Sequence, residues 1–245
     1  MALLISLETN ILLHIILSSI SGLVLGIAGG LVFTRKKEER LNQLFLGFFV
    51  GIGLHQILDA GMTYFLFVLE DIDVSNLLRD FSIIFLIFGL NFGALAVLLI
   101  YYGDQSFFNI YRIVPWFVIV GLLALGGILG DNVLPGGYGH QPGKQRELIG
   151  WIGITGAFII YSIIIVLFLV LLFVGVVDKT IQKKFLGLIS GFLMINAVVF
   201  CLDISFIVPL FQQIIMNNLT HVLVHVIALV GGLITVVVLW SPMKS

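Results

Sequence analysis

Seven long apolar runs fill the chain, near 9–34, 42–69, 77–102, 112–130, 148–177, 185–211 and 218–240, and the polar positions inside them are few and regularly spaced. An α-helix crosses the hydrocarbon core of a bilayer with about 20 apolar residues, whereas barrel strands alternate in polarity and need only about 9 to 11. Unbroken runs of this length predict helices. The expected fold class is all-α, a polytopic membrane protein folded as a seven-transmembrane-helix bundle. The connections are too short for a second folded unit, so residues 1–245 are expected to form a single seven-helix transmembrane domain. No 20-to-50-residue repeat and no duplicated three-helix half is visible, which argues against a solenoid or an inverted-repeat transporter.

Lysine and arginine set the orientation, because they accumulate in cytoplasmic loops. With the amino terminus outside, the inner loops and tail hold nine of the twelve: Arg35, Lys36, Lys37, Arg40, Arg112, Lys179, Lys183, Lys184 and Lys244. The outer loops hold Arg79, Lys144 and Arg146. N-outside, C-inside follows. Glu8 and no basic residue precede the first run, and no small-residue cleavage site ends it, so it is expected to stay as the first helix.

In that orientation the ionisable residues of the runs gather in their outer halves. The first run carries Asn10, His14 and Ser18 at four-residue steps, which places them on one helical face. His55 lies near the middle of the second run, with Asp59 one turn further out on the same face. Arg79 and Asp80 mark the outer end of the third, and Asn91, eleven residues on, returns to nearly the face of Asp80 about three turns deeper. In the sixth run Asn196 and Asp203, seven residues apart, share a face. The seventh opens with His221 and His225. A charged Asp in hydrocarbon costs about 2.5 to 3.5 kcal/mol on insertion scales, so such residues are seldom kept without partners.

His-x-x-x-His at 221–225 projects two imidazoles from consecutive turns of one face, a spacing suited to a metal ion, and His55-x-x-x-Asp59 repeats it with a carboxylate. Interhelical hydrogen bonding is the competing reading of either pair alone. Both pairs fall in outer halves with Asp203 at a similar depth. The predicted metal-binding set is therefore His55, Asp59, Asp203, His221 and His225, supported by His14, Asp80, Asn91 and Asn196. Imidazole and carboxylate donors without thiolate suit zinc, copper, iron or manganese. Three protein donors and an open water position would also furnish a metal-dependent hydrolase, with Asp59 or Asp203 as base. Haem between His55 and a seventh-run histidine is a third possibility. The inner halves hold no histidine, so a two-haem path across the bilayer is not expected.

Composition narrows the field. Hydrophobic residues make up 60% and charged residues 10%, with a mean hydropathy of +1.20, far from the balance of a soluble domain. The chain is expected in the cell membrane as a multi-pass protein with the lipid bilayer as its surroundings. A net charge of -1 and dispersed basic residues give no reason to expect nucleic acid. The lone Cys201 excludes an internal disulfide and any multi-cysteine metal site. Without a Lys in the seventh run no retinal Schiff base forms in the rhodopsin manner. No phosphate-binding loop, Gly-x-Ser-x-Gly elbow or paired-carboxylate transporter motif is present. The turn-rich segment Asp131 to Glu147 reads first as a plain connector, and Gly22, Gly26, Gly29, Gly30, Gly231 and Gly232 read as helix-packing positions. Trp116, Trp151 and Trp240 suit interfacial anchoring.

The basic turn RKKEERLNQLFLGFF at 35–49, LRDFSIIFLIFGL at 78–90 and DKTIQKKFLGLISGF at 178–192, in an N-outside order, resemble the seven-helix membrane-sensing regions that open some prokaryotic signalling proteins, including histidine kinases. The resemblance implies a sensor or receptor-like role, with output through a protein partner at the cytoplasmic face. His221 and His225 also resemble the seventh-helix His-x-x-x-His of seven-helix metal-dependent amidases such as alkaline ceramidases and progestin-and-adiponectin-type receptors. The second-helix Ser-x-x-x-His of that group corresponds here to Gly51-x-x-x-His55, and its following Asp is missing. The expected function is a sensor or receptor-like membrane protein whose outer-leaflet His/Asp site binds a metal ion or small polar ligand. A metal-dependent membrane hydrolase and a haem-binding subunit of a redox complex are the alternatives.

Overall fold

The computed structural model of the chain describes residues 7–35, 37–102, 110–133, 144–146, 148–175 and 218–240, together with positions 179, 182, 183, 186, 187, 189–191 and 194. Six long helices account for most of these: α1 (Leu7–Arg35), α2 (Arg40–Phe67), α3 (Ile72–Tyr102), α4 (Ile110–Gly130), α5 (Leu148–Gly175) and α6 (Asn218–Trp240). Among the described residues, the first five are long and apolar enough to cross a membrane. They match the first five predicted runs, and α6 matches the seventh. The sixth run lies mostly outside the described residues, and those of its positions that are described are helical.

Local chemistry fixes the turns. After α1 stops in the basic stretch at Arg35, Glu39 turns extended (φ -74°, ψ 121°), and its carbonyl accepts the N–H groups of Asn42 at 3.0 Å and Gln43 at 3.2 Å to start α2. Between α2 and α3, Glu70 takes a left-handed conformation (φ 55°). Asp71 then caps α3, its Oδ1 accepting the N–H of Val74 at 3.0 Å. The Ser75 hydroxyl donates back to the Met62 carbonyl at 3.2 Å, so the turn is tied to the helix it leaves. Pro115 sits inside the first turns of α4 and removes one backbone donor there. A π-helical stretch, Trp151–Gly156, widens the start of α5. The connector from α4 to α5 is more than a loop. Asp131–Val133 pairs antiparallel with Lys144–Arg146, in the register Asp131 to Arg146, Asn132 to Gln145 and Val133 to Lys144.

Helices in lipid gain little from apolar burial against one another, so small residues that let backbones approach are what hold them together. A Cβ placed on Gly22 would fall 2.5 Å from the carbonyl oxygen of Gly53, and one on Gly51 would fall 2.5 Å from the Cα of Gly89. Opposite edges of α2 thus meet α1 and α3 at glycine. Gly127 and Gly130 meet Gly150 and Gly153 between α4 and α5 in the same way. A Cβ on Gly26 or Gly30 meets no described atom, although the backbone nitrogen of Gly26 lies 3.2 Å from where a Cβ on Gly53 would fall. Paired positions such as Gly29 with Phe49 and Gly47 with Phe92 make α1, α2 and α3 successively antiparallel.

α3 is the most enclosed helix and the axis of the bundle, packed against α2, α4 and α5, while α6 packs on α1. Its Ile87, Leu95 and Val97 join Phe48 and Phe49 of α2 and Ile165 and Leu169 of α5 in one core. Leu12, Leu23 and Ile27 of α1 and Leu122 and Leu129 of α4 point outward. An apolar exterior around a packed interior is what a bilayer requires.

Candidate functional site

Polar residues recur at helical spacing along the inner faces of the first three helices. α1 buries His14, Ser18 and Ser21, and α3 buries Ser75, Arg79 and Ser82. α2 carries His55, Asp59 and Thr63 at four-residue steps. Because α1 and α2 run antiparallel through Gly22 and Gly53, and α2 and α3 through Gly51 and Gly89, all three stripes lie at the end where α1 begins, α2 ends and α3 begins. The side chains are joined helix to helix.

His14 Nε2 lies 2.9 Å from Asp59 Oδ2, close enough for the ring N–H to donate to the carboxylate across 45 positions of sequence. The histidine is 6% exposed and the aspartate half-buried. One turn deeper on α2, His55 turns the other way. Its Nδ1 stands 2.7 Å from Ser82 Oγ and 3.3 Å from the Ser82 carbonyl, while the Ser82 hydroxyl lies 3.3 Å from the His55 carbonyl. A carbonyl only accepts, so this clasp calls for the hydrogen on Nδ1, with Ser82 Oγ donating to the His55 carbonyl. On α3 the guanidinium of Arg79, 4% exposed, donates from Nε at 3.1 Å and also from Nη2 to Asp80 Oδ1.

These contacts sort the predicted residues. Asp59 has His14, one of the expected supporting residues, as a direct partner. His55 and Asp59, predicted to act from one face, reach opposite neighbours, α3 and α1. Asp80 pairs with Arg79. Asn91 belongs elsewhere, since its Oδ1 accepts the indole N–H of Trp116. Trp116, expected as an interfacial anchor, is also a hydrogen-bonding partner of α3. His221 and His225 lie in the first turns of α6, with side chains outside the described set; Asn196 and Asp203 are outside it altogether. Among the described residues no three of His, Cys, Asp and Glu stand close enough to hold a metal ion.

Ser82 and Thr63 are absent from the predicted set, and Arg79 is read from sequence only as a marker of the outer end of the third run. The spacing of Ser75, Arg79 and Ser82, four and then three residues apart within an apolar run, is the signal that points to them. Two polar atoms at this seam, Ser18 Oγ and Thr63 Oγ1, are fully buried and have no hydrogen-bond partner among the described residues. Chemically, the seam offers a carboxylate held by an imidazole, a second imidazole and an ion pair. Donors of this kind fit a borderline divalent ion better than a soft one. No protein-family model matches the chain, and no curated relative matches it.

Proposed function

We propose that the protein is a seven-span membrane protein with its amino terminus outside, whose His/Asp site in the outer leaflet binds a divalent transition metal ion or a small polar ligand in a sensor or receptor-like role. The reading is supported above all by the His14–Asp59 contact. Placing a charged Asp in hydrocarbon costs about 2.5 to 3.5 kcal/mol at mid-helix. An interhelical hydrogen bond in a membrane returns on average about 0.6 kcal/mol, and about 1.7 at most. A cation bound at the carboxylate would add to what the His14 contact returns.

Coupling follows from where the site sits. Asp59 and His14 lie between α1 and α2, and α6 packs on α1, so occupancy biases how these helices meet along their whole length. The basic inner connection with Lys183 and Lys184 presents the change to a protein partner. Elemental analysis of purified protein tests the reading, with one zinc, copper, iron or manganese per chain expected and loss of that metal in Asp59→Ala. A folded, unstripped sample with no metal and no bound polar ligand removes the site. A Soret band would replace it with haem.

A further inference from the structure

Further along α3 than the His/Asp seam, past the middle of the helix, Asn91 is fully buried. Its Oδ1 accepts the indole N–H of Trp116 on α4. An indole nitrogen only donates, so this bond fixes the amide: the oxygen faces Trp116, and both hydrogens of Nδ2 point elsewhere. Nδ2 is buried and has no hydrogen-bond partner among the described residues. In the hydrocarbon core no bulk water reaches such a donor, and leaving it unpaired costs free energy. The position calls for an oxygen that accepts.

α5 brings a hydroxyl to the same level. The ring centroids of Trp116 and Tyr161 are 6.0 Å apart, so the phenol packs against the indole that holds the amide. α3 and α5 run parallel: a Cβ on Gly93 would lie 3.3 Å from Ile165 Cδ1, and the ring centroids of Tyr101 and Phe168 are 5.0 Å apart. Asn91 is two residues before Gly93, and Tyr161 is four before Ile165. At about 1.5 Å of rise per residue the two therefore stand within about 3 Å of one level. Tyr161, Ile165 and Leu169 recur at four-residue steps, are all buried, and belong to the core that α3 lines with Ile87 and Leu95. Amide and phenol thus share one enclosed place without a direct bond between them.

We infer that Asn91 and Tyr161 hold a buried water molecule between α3 and α5, which accepts an N–H of Asn91 Nδ2 and donates to the Tyr161 hydroxyl oxygen. Polar groups that face one another beyond direct reach are joined in this way, and a buried water is kept where several polar atoms converge on it. Enclosure sets the size of the occupant. Ile87, Ala94 and Leu95, which flank Asn91 on its face of α3, are each at most 2% exposed, so a carbonyl carried on a lipid-sized molecule has no entry along that face. The water makes one joint of three helices: α4 bonds Asn91 directly through Trp116, and α5 reaches it through the water. It is independent of the His/Asp seam and of whatever binds there.

Solid-state NMR of the full chain, with isotope-labelled asparagine side chains and reconstituted in phosphatidylcholine vesicles, tests the site on the wild-type protein. Magnetisation from the water resonance is expected to reach the side-chain nitrogen of Asn91, whose signal is identified by its loss in Asn91→Asp, or in Asn91→Gln should the first variant not fold. The transfer is expected to fall several-fold in Tyr161→Phe, which keeps a ring against Trp116 and removes only the hydroxyl. No transfer from water to Asn91 in folded wild-type protein overturns the site. Transfer from acyl-chain protons in place of water also overturns it, by putting a lipid carbonyl on the amide. Transfer in Tyr161→Phe as strong as in the wild type overturns the bridge to α5.

Discussion

The imidazole of His14 and the carboxylate of Asp59 lie within hydrogen-bond distance in a low-dielectric seam, so deleting one takes a partner from its mate. His14→Ala and Asp59→Ala are each expected to lower stability by about 0.5 to 1.5 kcal/mol, the net contribution of one hydrogen bond. The double variant His14→Leu/Asp59→Leu should lose less than the sum, with a coupling of at least about 0.5 kcal/mol in a double-mutant cycle read by thermal unfolding in detergent. Additive losses would show that the two do not act on each other. The ingredients of this pair were legible, because ionisable residues in apolar runs stand out. Which of them meet was not. Spacing at His55 and Asp59 gives a shared direction to within about 40°, and on a helix wedged between two neighbours that margin decides between α1 and α3. The bond between Asn91 and Trp116 left no trace in sequence either, since its two halves belong to different runs.

Helices in this protein are positioned by where their backbones can touch, and glycines at the crossings set those distances. Gly51→Ala is expected to push α2 from Gly89 of α3 and lower stability by about 1 to 3 kcal/mol, as overpacking does. Gly26→Ala, with no described atom within 4 Å of the new methyl, is expected to be neutral or to stabilise α1 by about 0.5 to 1 kcal/mol. Midpoints of thermal unfolding for the two variants, side by side, check both signs. Hydropathy alone located α1 to α5 and α6 to within five residues, because membrane length leaves little freedom. It gave no warning of the π-helical start of α5 or of the paired strands between α4 and α5, which depend on neighbours the periodicity does not contain. It also treated Gly22 and Gly26 alike, although a Cβ would clash with α2 only at the first.

For the molecule as a whole, the distribution of Lys and Arg makes a claim about sidedness that chemistry on intact cells can decide. In a Cys201→Ser background, a cysteine in place of Lys144 is expected to react with a membrane-impermeant maleimide in intact cells, and one in place of Lys37 only after permeabilisation. The reverse pattern would invert the proposed orientation and carry the His/Asp site to the inner leaflet with it. The short ladder between Asp131–Val133 and Lys144–Arg146 adds a practical corollary. Its rungs pin both ends of the intervening stretch, so the distance between α4 and α5 is set by the ladder and not by how much chain is strung beyond it. Doubling such a stretch adds only about 0.6 kcal/mol of closure entropy. An affinity epitope or a small fluorescent reporter spliced in at Gly137 should therefore ride on the surface as a handle, leaving the bundle beneath to fold as before.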